Sequence, residues 1–220
     1  MKNDSQQTLF EGLDPIVQPK ISVISGLKYM PEFIDQAHHD DLLRQIDALP
    51  WLTELKRRGQ HYGFKYDYKS RGVNQSIRIG SLPSWADELA DLFCKRGLAP
   101  ERPDQVIVNE YQPGQGIASH VDCVPCFTDT IISLSLGTSC VMEFKNKETR
   151  QVVPLLVEPR SLVVMQGDAR YNWMHGISAR KTDRYQEATI ERGRRVSLTF
   201  RKVILSGRKR RLAIRPAHVA

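Results

Sequence analysis

The chain has 220 residues, 40% of them hydrophobic, enough for one globular domain with a sizeable core. No apolar run approaches the ~20 residues of a membrane span, and residues 1–15 lack the apolar stretch of a secretory signal, so a cytoplasmic monomer clear of membranes is expected. The formal net charge of +7, from 32 Lys and Arg against 25 Asp and Glu, favours a polyanionic partner; it does not separate DNA from RNA, or either from a merely soluble basic surface.

Residues 1–20 read as an irregular arm. Residues 21–27 (ISVISGL) form a short strand candidate ended by a turn. Pro31, in the first helical position, opens a helix to about residue 48, and Pro50 stops it. Residues 51–80 show no clear helical period. Within them, His61-Tyr62-Gly63-Phe64-Lys65-Tyr66-Asp67-Tyr68-Lys69 interleaves aromatic and basic side chains. Such a segment can stack on bases and meet phosphates, and it equally suits a hairpin strand with ordinary packing. Ser84, with Asp87 three residues on, signals the N-cap of a helix that carries Trp85, Leu89, Leu92 and Phe93 on one face; Gly97 ends it. Beyond residue 105 the chain reads as strands at 106–108, 130–136, 140–144, 152–157, 161–165 and 196–203, separated by turn residues. Many short strands with regular turns predict a barrel or a double-sheet jelly roll.

Basic residues gather at 56–58, 192–195 and 208–211. The four cysteines are Cys94, Cys123, Cys126 and Cys140. Cys123 and Cys126 lack the second pair of a zinc ribbon and the βαβ setting of a thioredoxin-like site, so all four are expected as unpaired thiols in a reducing compartment.

The pattern His-x-Asp occurs at His38–Asp40, His39–Asp41 and His120–Asp122. The first two fall on the predicted helix, where positions i and i+2 point about 200° apart and cannot grip one ion; they read as a solvated polar face. Residues near 120 read as extended, so His120 and Asp122 project the same way. His175 follows the turn at Gly167-Asp168, with Gly176 after it allowing a tight backbone. Two imidazoles and one carboxylate match the triad that holds iron in non-haem Fe(II) oxygenases. In the last strand, Arg195, Ser197, Thr199 and Arg201 alternate with Val196, Leu198 and Phe200. Two inward arginines are costly without a partner, and a dicarboxylate bound bidentately resolves that cost.

Asn109-Glu110-Tyr111, Pro113-Gly114-Gln115-Gly116-Ile117, His120-Val121-Asp122, His175-Gly176-Ile177 and Arg195 with Arg201 resemble, in order, the motifs of the AlkB family of Fe(II)- and 2-oxoglutarate-dependent dioxygenases, over roughly residues 50–203. The blocks at 132–137 and 170–177 are similar to the oxygenase domain of the animal tRNA-modifying AlkB homologue. The resemblance implies a mainly β fold with N-terminal helices (α+β), built on a double-stranded β-helix, the jelly roll. It implies an arm (1–20), a helical extension with a nucleotide-recognition lid (21–100), a dioxygenase core (101–205) and a basic tail (206–220). The cofactors implied are Fe(II), 2-oxoglutarate as cosubstrate, and O2. By the same resemblance His120, Asp122 and His175 would be the iron ligands and the catalytic centre. Arg195 would pair with the distal carboxylate of 2-oxoglutarate, Arg201 would lie near Asp122 and the chelating end, and Asn109 and Tyr111 would add hydrogen bonds. Tyr62, Lys65 and Tyr66 would belong to the lid and touch substrate.

The chain departs from the family in two places. DNA-repair members carry an acidic residue where this chain has Val124, which cannot accept a hydrogen bond from an exocyclic amine. The flanking domains of the animal tRNA enzyme are not expected in a chain of this length, and Arg208 to Arg211 are expected to replace some of that affinity. The expected activity is oxidative dealkylation of alkylated nucleobases in DNA or RNA, that is, alkylation-damage repair. The alternative is hydroxylation of a modified tRNA base. A protein or small-molecule hydroxylase and a non-catalytic nucleic-acid-binding module come after these.

Overall fold

The computed structural model describes residues 21–67 and 72–204. The arm 1–20, Tyr68 and Lys69 of the aromatic-basic segment, and the basic cluster 208–211 lie outside the described residues.

A 3-10 turn (Ile21–Val23) leads into β1 (Leu27–Met30) and α1 (Gln36–Asp47). Strands β2 (Gly59–Tyr62), β3 (Phe64–Asp67) and β4 (Gly72–Arg78) precede α2 (Ser84–Lys95). Then come β5 (Gln105–Tyr111), β6 (Ile117–His120), β7 (Phe127–Gly137), β8 (Cys140–Asn146), β9 (Val152–Val157) and β10 (Leu162–Met165). The short helix α3 (Gly167–Tyr171) is followed by β11 (Trp173–Ile177), β12 (Thr182–Tyr185), β13 (Ala188–Glu191) and β14 (Arg195–Val203).

Six strands form one antiparallel sheet in the order β1-β10-β7-β14-β5-β2, and four form a second in the order β6-β11-β8-β9. This is the expected jelly roll. Besides α1 and α2, segment 21–100 contributes β1 and β2, the two edge strands of the larger sheet. Alternation at period two divides that sheet's side chains between two cores. Val106, Val108, Leu134, Leu198 and Phe200 pack outward against Leu42 and Ile46 of α1 and Leu89 and Phe93 of α2. Ile131, Val163 and Met165 pack inward against Met142, Phe144, Leu155 and Trp173 of the smaller sheet. The residues left over on the inward face of β14 and β5 are mostly polar, and with Ile107 they line the site.

Local corrections have local causes. The strand expected at 21–27 begins only at Leu27, because Gly26 turns the chain with φ +81°. Helix α1 starts at Gln36, not Pro31: the Asp35 side chain accepts from His38 N at 2.8 Å and supplies the cap. Pro83, not Ser84, is the N-cap of α2, and no side chain caps it. The turn expected at Gly167-Asp168 is the start of α3. Strands β11, β12 and β13 lie where no strand was read. Cys123 and Cys126, expected as free thiols, form a disulfide across the turn after Asp122, with Cα atoms 5.2 Å apart; Cys94 and Cys140 are free.

Candidate active site

The strand ladder brings the two distant histidines together. His175 of β11 is the direct cross-strand partner of His120, the last residue of β6. Their ring centroids lie 4.5 Å apart. Asp122 sits just past the end of β6, 5% exposed, with Oδ2 3.5 Å from His175 Nε2. One ligand atom from each of the three lies within 4.8 Å of the others. The other two His-x-Asp pairs join no such group among the described residues. His39 is nevertheless buried, where a solvated face was expected: its Nε2 accepts from Gly137 N at 3.0 Å and docks α1 on the sheet.

Charge and hydrogen bonding prepare the three groups for a cation. His120 Nδ1 donates to the Ala118 carbonyl at 2.8 Å, which fixes the ring and leaves Nε2 as the nitrogen available to a metal. Burial pushes the His175 imidazole down to about 3, with His120 and then Arg201 adding to the effect against Asp122. His175 is therefore neutral at physiological pH. Burial alone would raise the Asp122 carboxyl, but Arg201, with Nη2 2.5 Å from Oδ1, and then the two imidazoles outweigh it and hold it well below the usual carboxylate range. Asp122 Oδ2 is buried and has no hydrogen-bond partner. An anionic oxygen facing a neutral imidazole nitrogen without a shared hydrogen bond is the arrangement a metal ion resolves. The donor set, two imidazole nitrogens and one carboxylate oxygen, fits Fe(II).

These shifts carry a stability consequence. Burial, helped by Lys65 and Arg201, also lowers His61, to about 4. In the unfolded chain both histidines take up protons near 6.5, whereas the folded protein resists until about 3 to 4. The unfolded state thus binds more protons across that window, so stability should fall as pH drops from 6.5 towards 4. Asp122, depressed as well, works in the same direction at lower pH. Urea unfolding of the metal-free protein across this range checks it; a flat profile contradicts the assignment.

A second polar group lies along β14. Arg195 is 3% exposed, and Nη2 donates to Ser135 Oγ at 2.8 Å. Its Nε and Nη1 are buried without hydrogen-bond partners. Its guanidinium lies 5.6 Å from the centre of the Tyr111 ring. Asn109 comes from the same inward face of β5, and its Oδ1 accepts from Arg57 Nε at 3.1 Å. A small recess of about 50 Å³ joins Arg195, Tyr111, Asn109, Thr199 and Arg201 to His120 and His175. A buried fork of unsatisfied N–H donors at one end and the triad at the other fit a dicarboxylate that reaches the metal.

Outside the recess a cavity of about 540 Å³ opens over the triad, walled by Tyr66, Phe127, Ile107, Arg57 and Cys123. Tyr66 stacks on Phe127, with ring centroids 6.3 Å apart. Tyr62 and Lys65 do not reach this cavity. Tyr62 points into the helix-side core, edge-on to Trp85 at 5.7 Å, with its hydroxyl on Gln60 Oε1. Lys65 lies 3.5 Å from Glu54 on the surface. Alternation along β3 explains why Tyr66 and Lys65 cannot both face inward.

Sequence reading missed Arg57, Ser135 and Arg170. Ser135 was findable, since it alternates inward with Ser133 in a strand paired to β14. Arg57 was hidden in a basic run read only as surface charge. Members of two such runs are paired with carboxylates. Arg192 pairs with Asp183 at 2.5 Å, Arg194 with Asp47 and Glu110, and Arg58 with Glu110.

The profile of the 2OG-Fe(II) oxygenase superfamily matches residues 26–201. The chain belongs to that superfamily. The expected kinship with AlkB homologues also holds. This oxygenase is 36% identical over 203 residues to a protein from Arabidopsis thaliana named "Alkylated DNA repair protein ALKBH8 homolog", covering 82% of this chain and 59% of that one. It is 36% identical to the "tRNA (carboxymethyluridine(34)-5-O)-methyltransferase ALKBH8" of Macaca fascicularis, covering 81% of this chain and 30% of that protein. The oxygenase therefore spans less than two thirds of the first relative and less than one third of the second. A solved structure titled "The structure of OsALKBH1" superposes with a TM-score of 0.64 at 17% identity, over 80% of this chain and 96% of that one, and shares the fold.

Proposed function

We propose that this oxygenase uses Fe(II), 2-oxoglutarate and O2 to oxidise an alkyl group on a nucleobase, removing it by oxidative dealkylation. The observation that carries the reading is the line from Arg195 to the triad: a buried, under-satisfied guanidinium, a recess, and three convergent ligands under an open cavity. His120, Asp122 and His175 would hold the metal, and Arg195 would bind the far carboxylate of the cosubstrate. When bound, Fe(II) and 2-oxoglutarate supply oxidation of a C–H bond coupled to formation of succinate and CO2. The chain's own residues do the rest. Arg195, Tyr111 and Asn109 fix the cosubstrate's orientation, and Arg201 holds the Asp122 carboxylate ionised and aimed. Tyr66 and Phe127 form an aromatic wall against which a base can stack and water is excluded. A base in a duplex must be flipped out, or be presented in a single strand, to enter. A hydroxylated N-methyl group then leaves as formaldehyde. The names of the Arabidopsis and macaque relatives, DNA repair in one and tRNA modification in the other, support nucleic acid as substrate.

One observation favours the second reading, hydroxylation of a modified tRNA base. Among the described residues lining the cavity, Asp122 is the lone carboxylate, while Arg57 and Arg201 are both cationic. Val124, 39% exposed, adds no acceptor. Such walls suit a neutral base that offers acceptors over a cationic methylated one. Incubation with Fe(II), 2-oxoglutarate, methylated oligonucleotides and tRNA, read by mass spectrometry, separates the two. Loss of a methyl mass supports dealkylation, gain of one oxygen on tRNA supports hydroxylation, and absence of both with no succinate formed sinks the proposal.

A further inference from the structure

His120 and His175 are fixed by the β6–β11 ladder, but Asp122 is not in a strand. Its place therefore depends on side chains that grip it from outside. Arg201 grips the carboxylate. The main chain is gripped by Arg170, from the one-turn helix α3. Arg170 Nη1 donates to the Asp122 carbonyl at 2.9 Å and Nη2 to the Cys123 carbonyl at 3.3 Å.

Arg170 is an expensive residue to place there. It is 2% exposed and among the largest fully buried side chains. Both of its hydrogen bonds go to carbonyls, its Nε has no partner, and its guanidinium lies over the face of Tyr171 at 5.1 Å; Asp122 and Asp129 favour its charge only from beyond ion-pair distance. The nearest favourable carboxylate, Asp122, is already paired with Arg201, and a buried ion with only a shared, distant counter-ion is costly, so an apolar side chain of similar volume would serve the core better. What the guanidinium adds is a rigid two-pronged clamp.

The clamp is mounted on the element that carries His175. Asp168 Oδ1 accepts from Asn172 Nδ2 at 2.7 Å, and Asp168 Oδ2 from Trp173 Nε1 at 2.9 Å, which locks α3 to the first residue of β11. Ala169 N, donating to Ser25 O at 2.9 Å, ties α3 to the segment before β1. One rigid joint thus holds His175 by its strand and Asp122 by its carbonyl.

We propose that Arg170 is the positioning residue of the metal centre, setting the carboxylate ligand in register with the two histidines. This rests on the reading of His120, Asp122 and His175 as metal ligands. The competing role, a mere positive charge near the site, predicts the opposite sign, because removing a cation favours binding of another.

Co(II) titrated into metal-free protein, followed by its visible d–d absorption, tests this in the wild type, H120A, R170K and R170M. Urea unfolding of each metal-free form is run in parallel. Lysine keeps the charge but cannot span both carbonyls; methionine loses both. The expected result is a Co(II) Kd raised about 10- to 100-fold in R170K, with altered band shape, and weaker binding still in R170M, while cooperative unfolding persists in R170K. Wild-type Kd and bands in R170K, or tighter binding in R170M, would overturn the proposal. So would loss of cooperative unfolding in both variants, which would make Arg170 a plain core residue. Failure of the wild type to bind Co(II), or binding that H120A leaves intact, would overturn the triad assignment instead.

Discussion

Replacing His120 by Ala should reduce 2-oxoglutarate turnover to background while leaving nucleic-acid binding intact. His120 contributes one of three donors gathered within 4.8 Å. Its loss leaves His175, and an Asp122 whose other oxygen is already committed to Arg201. Removing a group behind a metal ligand costs about 10- to 100-fold in affinity or activity, and removing a ligand itself should cost more. The His120 side chain sits at the end of an exposed-edge strand, away from both hydrophobic cores, so the fold should survive. Succinate formation and oligonucleotide anisotropy, measured on the same preparation, check the two halves. Turnover that persists in His120→Ala would remove the metal assignment.

Arg195→Met should do two opposite things. Affinity for 2-oxoglutarate should fall by about 2–5 kcal/mol, the usual cost of truncating one partner of a buried hydrogen-bonded charge pair, or roughly 30- to several thousand-fold. The metal-free, cosubstrate-free protein should at the same time become more stable. Arg195 is 3% exposed with two guanidinium nitrogens unsatisfied, and replacing such a buried charge by a packed apolar chain is often stabilising, by about 1–4 kcal/mol. A raised KM together with a higher melting temperature is the signature of a residue kept for its ligand. A variant that melts lower, with KM unchanged, would show that Arg195 is structural.

The arginines of β14 also show why part of the site was legible in advance. Alternation of Arg195, Ser197, Thr199 and Arg201 with Val196, Leu198 and Phe200 is a one-dimensional fact, and strand geometry turns it directly into two faces. The same rule picked His120–Asp122 out of three His-x-Asp pairs. It was not applied across the aromatic-basic segment. There the strand break at Gly63, with φ +78°, sends Tyr62 to the helix-side core and Tyr66 to the cavity. Composition suggested a contact surface, and the turn decided which ring reaches it. The helix starts were misplaced for a related reason: Pro31 and Ser84 are good opening residues, but Asp35 and Pro83 hold the positions from which the first turns are closed.

Basic runs were the least legible feature. Whether Arg58, Arg192 and Arg194 are free to meet a polyanion depends on carboxylates far along the chain. Glu110, Asp183 and Asp47 occupy them in the fold. No local pattern announces such a pairing, and the Cys-x-x-Cys spacing behind Asp122 did not by itself separate a disulfide from two free thiols.

By itself, the sequence determined a strand-rich barrel or jelly roll, the His120–Asp122 pair and the presence of inward arginines, because each follows from periodicity or from residue chemistry within a few positions; the choice of the jelly roll and of His175 as third candidate ligand came with the family resemblance. Only the tertiary structure decided that His175 pairs with His120, that Arg170 holds the Asp122 main chain, and that Arg57 rather than Tyr62 or Lys65 walls the cavity. Those are contacts between residues distant in the chain, and they are set by strand register and by the packing of α3 against the sheets, which no short stretch of sequence encodes.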